Sequence, residues 1–582
     1  MQSEKIETLF TNFIIKLVGP NEERENDRNS KYTLVKKIIE DFLILQYPDY
    51  IPYIFLYGSF PLKNYLKDSD MDITIIFENK IDHKILLDLS QDIINEILLK
   101  IKDSFENYNK KNNQTFFYDI NIINANIKLL KCQIQSIPLD ISINNFFGLL
   151  KIIFMNNIFN QIEKIFKNKN EENNNLEVNN KLIIFKRTII LIKAWCTYEG
   201  SLMGSNIGLM ASYGLEILIL YMFNLYYKDI NNEIEGFFYF FNLMKNVDIE
   251  NNIFSIFGLI PINEFHSKFF ISEKDKNNIG SEPFWYINND EKKNDNYLFN
   301  LKEIKEILIK INNSPINISI NNNKNKDEIL FKKSFTEKLF NILDPIKLEN
   351  NLGKSINYHS FSKMKGVLKY ITKEFNNIIE IKKKEDPFLY INSLLKLFYN
   401  TLSMNFIELL INYLNIPKIS IDSNSQNENI NNNNGFTLLR VNREDIKKFN
   451  KLFLNQQPDI QNIDNDKKNN NDDDIQDNYE EYEEEEDDES IEENDLGKKE
   501  GEGEGTININ GIPNNNIKQK KENEIKYENY DLIINNEILN KFFELNSNKN
   551  NYDIMSFYEN LNKASNEHFL DIEKFLVKYN LI

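Results

Sequence analysis

Two aspartates one residue apart, Asp70-Met71-Asp72, follow the dipeptide Gly58-Ser59 after an interval of ten residues. Alternate residues of a strand share a face, so a strand here aims Asp70 and Asp72 into one site and Met71 into the core. Carboxylates held side by side repel, and divalent cations relieve that repulsion most directly. Hard oxygen ligands favour Mg2+, with Mn2+ as its substitute. Gly58 lets backbone approach a ligand closely. The turn amides and the Ser59 hydroxyl, at a helix start, are suited to phosphate oxygens. Activating an attacking hydroxyl needs a further carboxylate on the metal. Asp140, in Ile137-Pro138-Leu139-Asp140-Ile141-Ser142-Ile143, faces away from Leu139 and Ile141 and is one candidate; Asp119, in Phe117-Tyr118-Asp119-Ile120, is the other. An Asp-x-Asp pair alone is usually a solvated turn. Gly-Ser at this distance, apolar flanks and a later acidic strand together favour a catalytic site.

The elements that must position these groups are legible from periodicity. Ile6, Leu9, Phe10, Phe13 and Leu17 recur at helical spacing, and residues 31–45 form a second amphipathic helix. Tyr53–Tyr57, Met71–Phe77, Phe116–Ile127, Lys128–Ile134 and Ile137–Ile143 read as strands, with a helix over about Lys80–Lys102. From Phe146 the pattern is helical: Phe185–Tyr198, Leu209–Tyr227, then 235–245, 300–311, 335–342, 358–379 and 388–413. Residues 167–180 and 320–328 read as polar loops. The expected organisation is α+β: N-terminal helices over 1–50, a small mixed-sheet unit over 51–150, and a helical unit over 151–415. A low-complexity acidic segment that cannot bury enough surface to fold follows over 416–529, then a helical segment over 530–582 that docks back on the body.

The bulk numbers narrow the function classes. The 582 residues carry a net charge of −19, yet Asp459–Glu500 alone holds 20 acidic residues and 4 lysines. The remainder is therefore near neutrality, which leaves room for a local basic groove. Cys132 and Cys196 are the only cysteines, which excludes a disulfide framework and a cysteine-rich zinc module and suits a reducing, intracellular compartment, cytoplasmic or nuclear. The N-terminus, with Glu4 and Glu7, does not read as a secretory signal. No apolar run reaches the ~18 residues of a membrane span.

Three blocks resemble the terminal nucleotidyltransferases of the DNA polymerase β-like superfamily, non-template poly(A) polymerases and terminal uridylyltransferases, closest to the plant-type group with a PAP/OAS1 substrate-binding domain. They are Ala125–Cys132 running into Asp140-Ile141-Ser142-Ile143-Asn144, Lys186-Arg187-Thr188-Ile189-Ile190-Leu191-Ile192-Lys193-Ala194-Trp195-Cys196, and Gly208-Leu209-Met210-Ala211-Ser212-Tyr213-Gly214-Leu215-Glu216. The match covers roughly residues 35–375 and favours Asp140 over Asp119. It implies Asp70, Asp72 and Asp140 as metal ligands, Lys193 and Ser212 on the triphosphate, and Tyr213 stacked on the base. Asp344–Lys354 resembles the family's nucleotide-recognition loop. The position held by histidine in uridylyl-adding members is Asn350 here, whose shorter amide leaves room for a purine; this favours ATP over UTP. Relatives contact the sugar through an Asn-Thr pair where this chain has Lys151-Ile152, so Asn144 or Asn145 is the candidate for that task.

The resemblance implies attack of an RNA 3′-hydroxyl on the α-phosphate of a nucleoside triphosphate, with pyrophosphate released. Its rivals are uridylyl transfer, oligoadenylate or cyclic-dinucleotide synthesis, and a noncatalytic scaffold whose acidic segment recruits protein partners.

Overall fold

The computed structural model describes residues 2–124, 127–168, 178–256, 258–263, 335–347, 349–384, 386–404 and 551–582, with Phe265, Leu298 and Leu308. All lie in one compact unit, Met1–Leu454 with Leu532–Ile582. The expected helices over 300–311 and beyond 404, and the loops over 320–328, 419–435 and 456–527, fall outside the described residues.

Five strands form a mixed sheet in the order β1-β2-β5-β4-β3: β1 Tyr50–Tyr57, β2 Met71–Asn79, β3 Phe117–Ile123, β4 Leu129–Ile134 and β5 Ile137–Ile143. Only β2 and β5 run parallel, with Asp72 opposite Asp140. Alternation supplies the core: Ile54, Leu56, Met71, Ile73, Leu139 and Ile141 pack on Val35, Ile39 and Leu43 of α2 (Glu22–Gln46) and on Ile97, Leu98 and Phe105 of α4 (Gln91–Asn112). The other face of β1 meets a second, larger core. That core is built by α1 (Gln2–Val18), α5 (Phe146–Asn168), α6 (Val178–Ala194), α7 (Ser212–Tyr226) and α8 (Glu233–Asn246). α3 (Ser59–Leu62) is a single turn between β1 and β2. Beyond α8 lie α9 (Tyr358–Lys383), α10 (Pro387–Leu397) and α11 (Tyr399–Met404).

Three local expectations are corrected. The helix placed at Lys80–Lys102 starts at Gln91, because the Ser90 side chain caps it at Ile93 N while residues 84–86 fold back on β2 through Asn79 N to Lys84 O and Leu86 N to Phe77 O. The second helix begins nine residues before Lys31. Its early turns bury Glu25, Arg28 and Lys31, so apolar periodicity does not reveal them. Residues 335–342 are not helical. The Asn341 side chain accepts from Lys338 N and donates to Lys338 O, and Asn341–Ile342 forms β8 beside β6 (Asn252–Ser255), which also pairs with β7 (Gly258–Pro261). The helical part thus carries a small sheet of its own.

The last helix, α12 (Asn551–Lys578), closes the back of β1. Phe575 lies 4.8 Å from both Tyr53 and Phe55, the Ser565 hydroxyl donates to Pro61 O at 2.5 Å, and His568 Nε2 donates to Leu56 O at 3.1 Å. These contacts brace the strand and turn that carry Gly58-Ser59. Among the described residues no helix is long and apolar enough to cross a membrane. Phe575, 6% exposed, should therefore cost about 3–5 kcal/mol of unfolding free energy when replaced by alanine. Urea unfolding of Phe575→Ala checks this; a loss under about 1 kcal/mol would mean that the helix only rests on the sheet.

Candidate active site

β2 and β5 bring the acidic residues together. Asp72 is half-buried on β2, and Asp140, 7% exposed, sits across the parallel pair. Asp70 is exposed and one residue ahead of β2, so strand pleating alone does not aim it. The approach to it is fixed instead by Arg28, buried in α2, whose Nη2 donates to Lys67 O at 2.9 Å and Ser69 O at 2.7 Å. Asp119 is exposed on the edge strand β3, two strands from β5, with φ of +51°, and takes no part in the cluster.

Crowding shows in the titration of Asp72: burial first, then Asp70 and Asp140, push it up to about 8. Asp140 is also raised by burial, and Lys131 opposes this by donating to Asp140 Oδ2 at 2.7 Å. Lys131 faces Asp140 across β4 and β5. Sequence reading missed it, although alternation along β4 places Lys131 on the side opposite Cys132. Three carboxylates are a hard-oxygen donor set that fits Mg2+. As the side chains lie, no group of three His, Cys, Asp or Glu among the described residues is gathered tightly enough to hold an ion. One oxygen of Asp140 serves Lys131, so a cation must use the other oxygen or displace the ammonium.

Gly58 has a role beyond the expected one. Its φ is +76°, and a Cβ there would stand 2.1 Å from Asp72 Oδ2. The absent side chain is the space the carboxylate occupies. Ser59 opens α3, but this helix is one turn long, so any phosphate grip rests on individual amides and the half-buried Ser59, not on a helix dipole. Behind them the Tyr57 hydroxyl lies 3.4 Å from Ser142 Oγ.

The remaining predicted residues divide into structural and accessible groups. Asn144, at φ +54°, donates to Leu86 O and Leu87 O, and Asn145 Oδ1 accepts from Gly148 N at the start of α5. Each amide is partly engaged by backbone, while Asn144 Oδ1 is buried without a hydrogen-bond partner. Lys193, expected on the triphosphate, lies in the interior. It is 4% exposed, donates to Asn64 O at 3.1 Å and forms a buried ion pair with Glu216. Moving it to a phosphate would strand a buried carboxylate, at a cost of about 3–5 kcal/mol. Ser212 is exposed at the start of α7. Tyr213 beside it is half-buried, with its hydroxyl buried and without a hydrogen-bond partner.

Lys151 fills the neighbourhood of Tyr213. Its Nζ lies 4.6 Å from the Tyr213 ring centroid and 4.0 Å from Asp344 Oδ2. Asp344 organises its loop: Oδ1 accepts from Ile346 N and Lys347 N, and Oδ2 accepts from Asn350 Nδ2 at 2.9 Å. Asn350 Oδ1 accepts from Lys354 at 3.1 Å. The amide predicted to meet the base is thereby oriented from both ends, with one hydrogen and one lone pair left over.

Two family descriptions match this chain. The family described as the PAP/OAS1 substrate-binding domain matches residues 179–285 and 266–402. The family described as the poly(A) RNA polymerase, mitochondrial-like, central palm domain matches residues 10–153. α12 lies outside both. Similar solved structures include the Cid1 poly(U) polymerase bound to Mg 3′-dATP, at 13% identity over 63% of this chain and 94% of that one, with a TM-score of 0.37. A cytoplasmic RNA terminal U-transferase is similar at 13% identity over 63% and 93%, with a TM-score of 0.35. No curated protein sequence matches significantly.

Two predictions follow from the carboxylates. Gly58→Ala should cost stability, because φ of +76° strains an L side chain, and should abolish Mn2+ binding as Asp72 is displaced; thermal unfolding with electron paramagnetic resonance titration of the folded variant reads both, and unchanged affinity would refute it. The second concerns pH. Asp72 holds its proton to about 8 in the folded protein against an ordinary 3.8. The folded state therefore binds a proton that the unfolded state has lost, and this contribution to stability declines as pH rises from about 4 to about 8. A cation needs the carboxylate, so Mn2+ affinity should climb with pH and level off above about 8. A flat Mn2+ affinity over that range would contradict it.

Proposed function

Because the chain belongs to the terminal nucleotidyltransferases of the DNA polymerase β-like superfamily, we propose that it adds AMP from ATP to the 3′ end of RNA. The observation that carries the transfer chemistry is the register of β2 and β5, which sets Asp72 opposite Asp140 beside the space left by Gly58. We read residues 51–150 as the catalytic unit and 151–415 as the unit that holds the nucleotide.

Asp70, Asp72 and Asp140 are the residues that would hold Mg2+. Bound there, the cation supplies Lewis acidity that lowers the pKa of the attacking hydroxyl and offsets charge on the leaving pyrophosphate. The chain's own groups do the positioning. Gly58 and Ser59 lie beside Asp72 on the phosphate side, Ser212 offers an exposed hydroxyl, and Tyr213 offers its ring to the base. For the base to stack on the face that Lys151 approaches, the ammonium must move. Its anchor is then Asp344, already the centre of the recognition loop.

Asn350 supports adenine. The lone pair remaining on its Oδ1 can accept from an exocyclic amino group, and its remaining N–H can donate to a ring nitrogen. Histidine at this place would crowd a purine.

The test is extension of a labelled RNA oligomer by the pure protein with Mg2+ or Mn2+ and each ribonucleoside triphosphate in turn. Extension with ATP is expected, and Asp140→Ala should reduce the rate at least ~1000-fold without unfolding the protein. Preferential extension with UTP would make the chain a uridylyltransferase. Soluble oligoadenylate or cyclic dinucleotides would change the acceptor, and no product would leave a scaffold. Asn350→His should move the UTP-to-ATP ratio of kcat/KM upward by about tenfold; an unchanged ratio would remove Asn350 from base choice.

A further inference from the structure

We propose that the exposed face of α9, the helix that leaves the recognition loop, binds the single-stranded RNA that trails behind the 3′ end. This deepens the reading of RNA as acceptor and rests on it. The start of α9 is tied to the segment that presents Ser212 and Tyr213: Ser355 Oγ donates to Leu209 O at 2.6 Å, and Asn357 N donates to Gly208 O at 3.2 Å. Gly208 has φ of +78° and no room for a Cβ, which would stand 2.3 Å from Asn357 Nδ2. The Asn357 side chain in turn caps α9 by accepting from Ser360 N. The first turn of this helix is therefore fixed beside the nucleotide site.

One face of α9 is core: Phe361, Met364, Leu368, Ile371 and Phe375. The opposite face carries Tyr358, 77% exposed, Tyr370, 58% exposed, and Lys369 and Lys373 one turn apart. Lys369 and Lys373 make no hydrogen bond or ion pair among the described residues. Lys365 at the edge of this face is paired with Glu250, and Lys363 donates to Ser201 O. Residues 350–379 hold five lysines and one glutamate in a chain of net charge −19. Like charges a turn apart on a helix repel, and unpaired ammoniums beside exposed rings complement phosphates and bases. From Tyr358 to Lys373 the helix rises about 22 Å, room for a few nucleotides of extended strand.

The double variant Lys369→Glu/Lys373→Glu in the full chain tests this by two readouts. Fluorescence anisotropy with a labelled RNA of about 15 nucleotides, long enough to cross the face, should show binding weakened about tenfold, with a shallower salt dependence. Lys369→Arg/Lys373→Arg should bind like wild type. Extension kinetics should show the KM for this RNA raised while the KM for ATP and extension of a trinucleotide stay unchanged. Equal RNA binding by wild type and the Glu variant overturns the inference, as does equal impairment of long and short acceptors. So does poly-glutamate of matched length binding the wild type more tightly than RNA, which would assign the face to an acidic polypeptide. A protein that binds RNA through this face but extends none keeps the inference and sinks the proposed transfer activity.

Discussion

The costliest constraint in this molecule is the placement of Asp72 opposite Asp140 on hydrogen-bonded parallel strands. The fold gathers like charges, half removes them from water and lets one of them keep its proton to about 8. Hydrophobic burial beneath them sustains that arrangement: Ile73, Leu139 and Ile141 are fully buried on the same two strands. Lys131 offsets part of the charge from β4. Electrostatic strain of this kind is lost readily to drift in any part that serves only stability, so its presence speaks for chemistry.

The surrounding elements can be understood as supports for that pair. Gly58 makes room for one carboxylate, Arg28 fixes the approach to Asp70, and α12 buttresses β1 from behind. The buttress comes from the far end of the sequence, so the strand before Gly58 is completed only when residues some 500 positions apart have met (Ser565 with Pro61). Loop closure of that length adds little further entropy cost, because the cost grows only logarithmically. A long intervening polar segment is therefore compatible with a stable closing helix.

Much of the chemistry was legible in the sequence, because it rests on short-range rules. Strand alternation and apolar flanks located β1, β2 and β5 to within three residues, while the choice of Asp140 over Asp119 rested on the family resemblance. What escaped notice depended on partners remote in sequence. Nothing local in the sequence marks Arg28 and Lys131; the packing of α2 brings the first to Ser69 O and the register of β4 the second to Asp140. Residues 335–342 have the composition of a helix but take their conformation from pairing with β6, a tertiary override of local preference. Asn144 and Asn145 came forward as candidates only because Lys151-Ile152 stand where relatives have an Asn-Thr pair; their bonds to the backbone of residues 86–87 and to α5 are tertiary and leave no mark in the sequence.

Lys193 shows the same principle with a consequence for the cleft. Its ammonium, Glu216 of α7 and Asn64 just past α3 form one buried polar network, for Asn64 Nδ2 also donates to Glu216 Oε1 at 3.0 Å. The network joins the turn after Gly58-Ser59 to the helix that opens with Ser212-Tyr213. A buried pair of this kind adds little net stability, but severing it is expensive, so it fixes relative position more than it strengthens the fold. The two segments proposed to hold the nucleotide are thus held in register by a buried lysine.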